Sequence, residues 1–550
     1  MHRNGSWSTG VPGMTAAPEP AAPAGLCSFA MQRLPLLLAA FEKETDGVRA
    51  AEDIEYIHRM RVASRRLRAA LPLFRSCFPR KQYARWMKEI ATITRALGQA
   101  RDADVQIAFL LRYRKKCTAA WAARNPGGCP GLPPLEPAIA FLQKDLQEQR
   151  EQHQSRVLSA LDALEKSGVT GEMHVAFASR IASFRRTPVQ FPAYGVPTLA
   201  ALRIASRLSD MRSFEPWISH ADAVAEHHAM RIAAKKLRYT MEVYGPVYRL
   251  GLAKPHARVK KVQDILGELH DCDVWIDSVT RLLLRERGRL RSQGREKQPD
   301  TTTLASLRLF LRDRERERIQ LHHHFMRYWH TLDRENTWEE LRHTLIDGRK
   351  KRFIPARKYD EQAIRAACED VSATWPEGLM HHRTVTRLAL MLFDSLQSLH
   401  NLSRHDRFLL ECAGMLHDIG WTEGSRRHNA RSFRRIITDE SLPLDLADRS
   451  AVGLVSLAHR GKVRIESHPL CLLYPPAYQK MILQLAALLR IADGLDYQRT
   501  GPVHEIHCIS GDAAITCDIV SEGDAAKEKE RARSKAGLFA RAFGRDLVIR

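Results

Sequence analysis

The sequence predicts a mainly α-helical protein: a duplicated helical bundle, then a second all-α unit, then a small α/β tail. Three observations carry that reading. Long amphipathic runs with few β-branched clusters extend from about residue 26 to 348. Within them a basic segment near residue 60 recurs about 170 residues later in the same register. From about residue 360 a second helical pattern begins in a different vocabulary, and after about residue 500 the pattern alternates like strands.

Taken in order, residues 1–25 are rich in Pro, Ala and Gly and read as a disordered leader. The apolar run Leu34 to Phe41 meets Glu42-Lys43-Glu44 with no small-residue cleavage site, so it reads as helix, not as a signal core. The first repeat covers about 26–190 and is interrupted by a loop from Asn125 to Pro137. The second covers about 191–348, with a charged loop from Gln293 to Thr303. A basic linker at 349–358 leads to the second unit, 359–500. In the tail, 501–550, strands at Val503–Ile509 and Ala514–Ile519 flank Gly511-Asp512, one helix covers about 524–543, and Leu547-Val548-Ile549 closes a small sheet.

A net charge of +23 and a pI near 9.8 call for a partner of dense negative charge: nucleic acid, an anionic membrane or a phosphate polymer. No stretch approaches the roughly 18 to 20 apolar residues of a membrane span. The ten cysteines contain no C-x-x-C pair, so neither a zinc knuckle nor a disulfide framework is expected, and the location expected is cytoplasmic.

The recurring segment holds the charge. It reads His58-Arg59-Met60-Arg61-Val62-Ala63-Ser64-Arg65-Arg66-Leu67-Arg68, then His228-Ala229-Met230-Arg231-Ile232-Ala233-Ala234-Lys235-Lys236-Leu237-Arg238. On a helix, His58, Arg61, Arg65 and Arg68 share a stripe roughly 80° wide, about 140° from the apolar face of Met60, Ala63, Leu67, Leu71 and Phe74. His228, Arg231, Lys235 and Arg238 repeat the stripe. No acid occurs between Glu55 and Glu89, nor from Val243 to Gln263, although a solvated face normally mixes charges. The stripes contain no aromatic residue apart from Tyr239 at the margin, which favours phosphate polymer over stacked bases. The leading histidines would add charge on protonation and strengthen binding below neutral pH. Leu97-Gly98 with Asp102-Ala103-Asp104-Val105, and Leu266-Gly267 with Asp271-Cys272-Asp273-Val274, follow the stripes. The Gly is expected to end a helix and the first Asp to cap the next.

This paired motif resembles the CHAD family, the conserved-histidine α-helical domain, over about residues 26–348. The resemblance implies two helical bundles whose basic helices bind inorganic polyphosphate. Its binding residues would be His58, Arg61, Arg65, Arg66, Arg68, His228, Arg231, Lys235, Lys236 and Arg238, and polyphosphate granules are a candidate partner.

The second unit offers His381, His417-Asp418, His428, His459 and Asp493. His381 shares the inward face of Val385, Leu388 and Leu392, while His382 points elsewhere. Asp493 lies in an apolar helix, where an unpaired acid is costly. Imidazole and carboxylate ligands from several helices suit one or two divalent transition ions: Mn, Fe or Zn. One ion acidifies water, and two clamp the oxygens of a phosphoryl displacement.

This order resembles the HD metal-dependent phosphohydrolase superfamily. By that resemblance His381, His417, Asp418 and Asp493 are the metal ligands, and His428 and His459 extend the site to a second ion or to phosphate. Arg460 or Arg490 would steady phosphate charge. Val385 to Asp394, Ala458-His459-Arg460 and Leu489 to Asp496 look like the carboxy-terminal region of the exopolyphosphatase/guanosine pentaphosphate phosphatase family. That family's actin-like catalytic half has no counterpart here. The expected function is therefore a polyphosphate-binding protein with a metal-dependent phosphohydrolase site for polyphosphate or a phosphorylated nucleotide, its catalytic set being Asp418, His428, His459 and Arg460. The alternative is a non-catalytic polyphosphate-targeting protein with a regulatory HD domain. A homodimer is a candidate assembly.

Overall fold

The computed structural model describes residues 24–124, 134–186, 195–249, 251–292, 301–347, 360–425, 427–439, 441–461, 463–511 and 514–550. Most of the leader, most of the Asn125–Pro137 loop, most of the Gln293–Thr303 loop and the 349–358 linker lie outside them.

The first part comprises α1 (Ala24–Glu42), α2 (Thr45–Ala50), α3 (Ile54–Ala70), α4 (Arg80–Arg124), α5 (Glu136–Ser167) and α6 (Val169–Arg186). There follow α7 (Gly195–Arg212), α8 (Val224–Tyr248), α9 (Ala253–Ser292), α10 (Thr301–Arg334) and α11 (Thr337–Asp347). Helices α3, α4 and α5 pack in succession, as α8, α9 and α10 do. Helix α3 begins at Asp53, whose carboxylate accepts from the Glu55 N–H. Its apolar face buries Met60 and Leu67 completely, and α8 buries Met230 and Leu237 in the same way. The far ends of the four long helices meet in a separate apolar cluster around Leu110, Leu142, Trp275 and Phe310.

The second unit contains α12 (Glu361–Ser372), α13 (Leu379–Ser395), α14 (Gln397–His400), α15 (Arg404–Leu416), α16 (His428–Thr438), α17 (Leu446–Ala458) and α18 (Pro476–Leu495). Its caps are local: Ser403 and Asp406 form a capping box, and Asp445 accepts from the Asp448 N–H. Helix α18 is buried on nearly all sides, as expected of a helix that is apolar all round. The tail pairs β1 (Val503–Ser510) antiparallel with β2 (Ala514–Ser521), and β3 (Asp546–Ile549) parallel with β2. Helices α19 (Ala526–Lys535) and α20 (Gly537–Phe543) cover it. The single helix expected there is two, parted at Ala536.

Two further expectations are corrected. Gly98 and Gly267 lie inside the uninterrupted α4 and α9, so neither ends a helix and Asp102 and Asp271 cap nothing. Cysteine pairing does occur: disulfides join Cys27 to Cys77 and Cys508 to Cys517, the latter pair directly opposed across β1 and β2. Cysteine usage therefore no longer argues for a reducing compartment. Among the described residues no helix is long and apolar enough to cross a membrane.

Candidate metal centre and basic seam

Five helix ends converge in the second unit. His381 sits in the first turn of α13 and His417-Asp418 just past α15. His428 opens α16, His459 follows α17, and Asp493 lies in the last turn of α18. Gly420 brings α16 in: a Cβ there would lie 2.3 Å from the His428 carbonyl oxygen and 2.6 Å from the Ser432 nitrogen. The bare backbone instead donates from the Gly420 N–H to Ser432 Oγ at 2.9 Å.

All four histidines turn Nε2 toward the Asp418 carboxylate because Nδ1 is held elsewhere. His417 Nδ1 meets the Gly414 carbonyl at 2.7 Å, His428 Nδ1 the Ser425 carbonyl at 2.9 Å and His459 Nδ1 the Ser456 carbonyl at 2.6 Å. His381 Nδ1 instead meets the Asp496 carboxylate at 2.7 Å. Such partners fix the tautomer that leaves Nε2 as a lone-pair donor. His381 Nε2 stands 3.7 Å from Asp418 and 3.4 Å from Asp493, while His417 Nε2 stands 3.8 and 4.0 Å from them. His428 and His459 Nε2 lie 3.1 and 3.2 Å from the other Asp418 oxygen, Oδ1.

Two triads, His381–His417–Asp418 and Asp418–His428–His459, thus share one carboxylate, each with its ligand atoms within 4.8 Å of one another. His381 Nε2, His417 Nε2 and Asp418 Oδ1 are buried without a hydrogen-bond partner. Orphaned donors of this kind fit a transition ion, which supplies the missing partner.

The electrostatics follow from burial against charge. Burial pushes His417 well below the usual imidazole range. Burial alone would lower His381, but Asp493, Asp496 and Asp418 outweigh it and raise it to about 9. Asp418 is held well below the carboxylate range despite its burial, by His417, His428 and His459, and Asp493 likewise by Lys535 and His381.

The centre opens into a cavity of about 180 Å³ lined also by Arg460, Tyr497, Arg499, Arg531 and Lys535. Arg460 is exposed at its mouth. Arg490 is elsewhere, donating to the Ala458 and Gly461 carbonyls at 2.8 Å each, so it shapes the His459 loop. His382 is turned to Ser372 Oγ at 2.6 Å. The sequence reading missed Asp496, Arg499, Arg531 and Lys535. Asp496 had a signal, three residues beyond Asp493 at the C-cap of the same helix; the others had none.

In the first part, α3 and α8 pack together and their stripes face one another. Burial and the repulsion of Arg65, Arg231, Arg61 and Arg238 push Lys235 down to about 7, and burial and Arg65 push Arg61 down to about 10. Some relief comes from acids distant in sequence, Asp102 pairing with Arg61 at 2.7 Å and Glu242 with Arg66 at 3.2 Å, and from one local pair, Glu242 with Arg238 a turn away at 2.6 Å. Among the described residues no acid lies within ion-pair distance of Arg65, Arg68, Arg231, Lys235 or Lys236. The second Asp of each D-x-D element ties down an outer helix, Asp104 to Arg150 on α5 and Asp273 to Arg318 on α10. His58 and His228 are lowered by burial and by adjacent arginines, Arg101 and Arg231, so they charge only further into acid than expected. His228 Nδ1 faces His270 Nδ1 at 3.1 Å.

Two family models match the chain: the CHAD domain over residues 32–280 and the HD domain over residues 378–498. Among solved structures the chain is similar to PptA from Streptomyces chartreusis, with 17% identity and a TM-score of 0.40 over 56% of this chain and 100% of that one. It is also similar to the CHAD domain from the plant Ricinus communis, with 22% identity and a TM-score of 0.34 over 54% of this chain and 97% of that one. No curated protein matches.

Proposed function

We propose that this chain, which carries a CHAD domain and an HD domain, binds inorganic polyphosphate along the α3–α8 seam and hydrolyses phosphate bonds at the HD centre. The observation that carries the reading is the convergence of four histidine Nε2 atoms on the Asp418 and Asp493 carboxylates beneath a cationic cavity. Its substrates are polyphosphate or a phosphorylated nucleotide, the classes named by the exopolyphosphatase/guanosine pentaphosphate phosphatase resemblance.

His381, His417, Asp418 and Asp493 would hold one divalent transition ion, and Asp418, His428 and His459 would hold a second. Such ions supply Lewis-acid polarisation of phosphoryl oxygens and acidify water. The chain's own groups do the remainder. Each histidine is locked by its Nδ1 partner, so little reorganisation is needed at the centre. Arg460 and Arg499 face the cavity as fixed positive charge for phosphate oxygens. In the seam, paired arginine forks grip successive phosphates, and the ligand relieves a repulsion the free protein bears.

A second reading has one observation in its favour. Asp418 and Asp493 already hold side-chain cations, Arg499 at 3.0 Å and Lys535, as a regulatory domain without metal would. Metal analysis of the purified chain, coupled to phosphate release with added Mn, separates the two. Stoichiometric metal and release abolished by Asp418→Ala support hydrolysis; release that survives Asp418→Ala excludes the HD centre as its source.

A further inference from the structure

The HD centre is closed on one side by the tail, and what the tail contributes is positive charge. Helix α19 crosses the end of α18 at Gly494, where a Cβ would lie 2.8 Å from Ala532 Cα, an approach open only to glycine. Fully buried Glu528 locks the crossing by accepting from the Gln498 N–H at 3.3 Å and from Gln498 Nε2 at 3.1 Å. On either side of Ala532, α19 then delivers Arg531 and Lys535 to the cavity.

Lys535 is 8% exposed and its Nζ contacts Asp493 Oδ2, which leaves Oδ1 for His381. Arg531 stacks on Tyr497 at 5.1 Å, and its buried Nε has no hydrogen-bond partner. Arg499 lies at 5.1 and 5.0 Å from the Trp375 and Trp421 ring centroids, with Nη2 on Asp418 Oδ2 at 3.0 Å.

Support of Asp493 would need Lys535 alone. Arg531 has no acid within ion-pair distance among the described residues, yet it is held at the same cavity. A site of about 180 Å³ is also smaller than the roughly 300–1,000 Å³ of pockets that engulf a drug-sized ligand. It accommodates a phosphate group, not a whole nucleotide.

We infer that Arg531, Lys535 and Arg499 form a wall that holds the terminal phosphate of the substrate, making the tail part of the active centre. A chain end offers the wall a doubly charged group with three free oxygens; an internal phosphate offers a singly charged one with two.

The inference rests on the phosphohydrolase reading, and one experiment separates their failures. In the full-length chain loaded with Mn²⁺, phosphorus NMR relaxation of added orthophosphate reports binding beside the ion. Arg531→Gln should weaken that binding about tenfold or more, the loss expected for a hydrogen bond to a charged group. Metal content of that variant should be unchanged. Linear triphosphate should show the effect and cyclic trimetaphosphate, which has no ends, should not. Metal uptake with relaxation indifferent to Arg531→Gln, or equal for the cyclic and linear polymers, overturns the wall alone. A chain that takes up no Mn²⁺ overturns the metal-dependent reading, and the wall with it.

Discussion

Asp496 holds His381 by its Nδ1 at 2.7 Å across 115 residues of chain, while its other oxygen accepts from the Gly501 N–H at 2.9 Å. The other three histidines of the centre rest on backbone carbonyls, which substitution cannot remove. Asp496 therefore offers a direct handle on histidine orientation. Asp496→Ala should lower metal affinity about 10- to 100-fold, measured by competition with a chelator. Asp496→Asn, which keeps an acceptor oxygen, should fall between. Wild-type affinity in both variants would remove the orienting role.

The two acids of Asp102-Ala103-Asp104 should respond in opposite ways. Asp104 is buried against Arg150, with side chains 4% and 17% exposed. Breaking such a pair from one side costs about 3–5 kcal/mol, so Asp104→Ala should lose that much in denaturant unfolding. Asp102 is 67% exposed on Arg61, and a surface pair of this kind is worth about 0–1 kcal/mol. Asp102→Ala should leave stability nearly intact and release Arg61 to the ligand. Polyphosphate should bind more tightly, with a salt slope steeper by about one.

Lys235 sets the pH dependence of the seam. Its ammonium is lowered from 10.5 to about 7 by burial and four arginines, so the folded chain binds fewer protons than the unfolded chain between those values. Stability present above 10.5 is thus lost progressively as pH falls to about 7, and the full penalty persists below. A bound polyanion favours the charged form, so polyphosphate affinity should fall as pH rises through about 7. Lys235→Gln should raise the melting temperature of the free protein near neutral pH, weaken polyphosphate and flatten the profile. An unchanged profile would place the dependence on another group.

The helical class, the basic stripes and the tail sheet were legible because each rests on periodicity within one segment. Met60 and Leu67 had to be buried on one side of α3 if Arg61 and Arg65 were to lie on the other, though only the fold shows that this other side faces α8. His381, His417, Asp418 and Asp493 were legible as a chemical set, though only the fold shows that helix ends bring them together. What escaped the sequence depends on distant packing. Glu242 relieves Arg66 from 176 residues away, and Lys535 reaches Asp493 because Gly494 admits α19. The D-x-D elements misled for a related reason: a Gly before an Asp looks like a cap, yet α4 and α9 run through it, held on both sides by neighbours.

Gly420 is where close packing and chemistry can be separated. Backbone atoms, His428 O at 2.3 Å and Ser432 N at 2.6 Å, stand where a Cβ would go, and neither can swing aside as a side chain does. Gly420→Ala must push the 419–423 turn away from the start of α16, at a cost of about 1–3 kcal/mol as for other overpacked sites. The displacement acts on His428, whose Nε2 is 3.1 Å from Asp418, and leaves His381, on α13, and Asp493, on α18, in place. The variant should therefore no longer bind an ion through Asp418, His428 and His459 yet still bind one through His381, His417, Asp418 and Asp493. Elemental analysis beside thermal denaturation reads both effects. Loss of all metal with only a small drop in melting temperature would mean that the two triads bind as one unit.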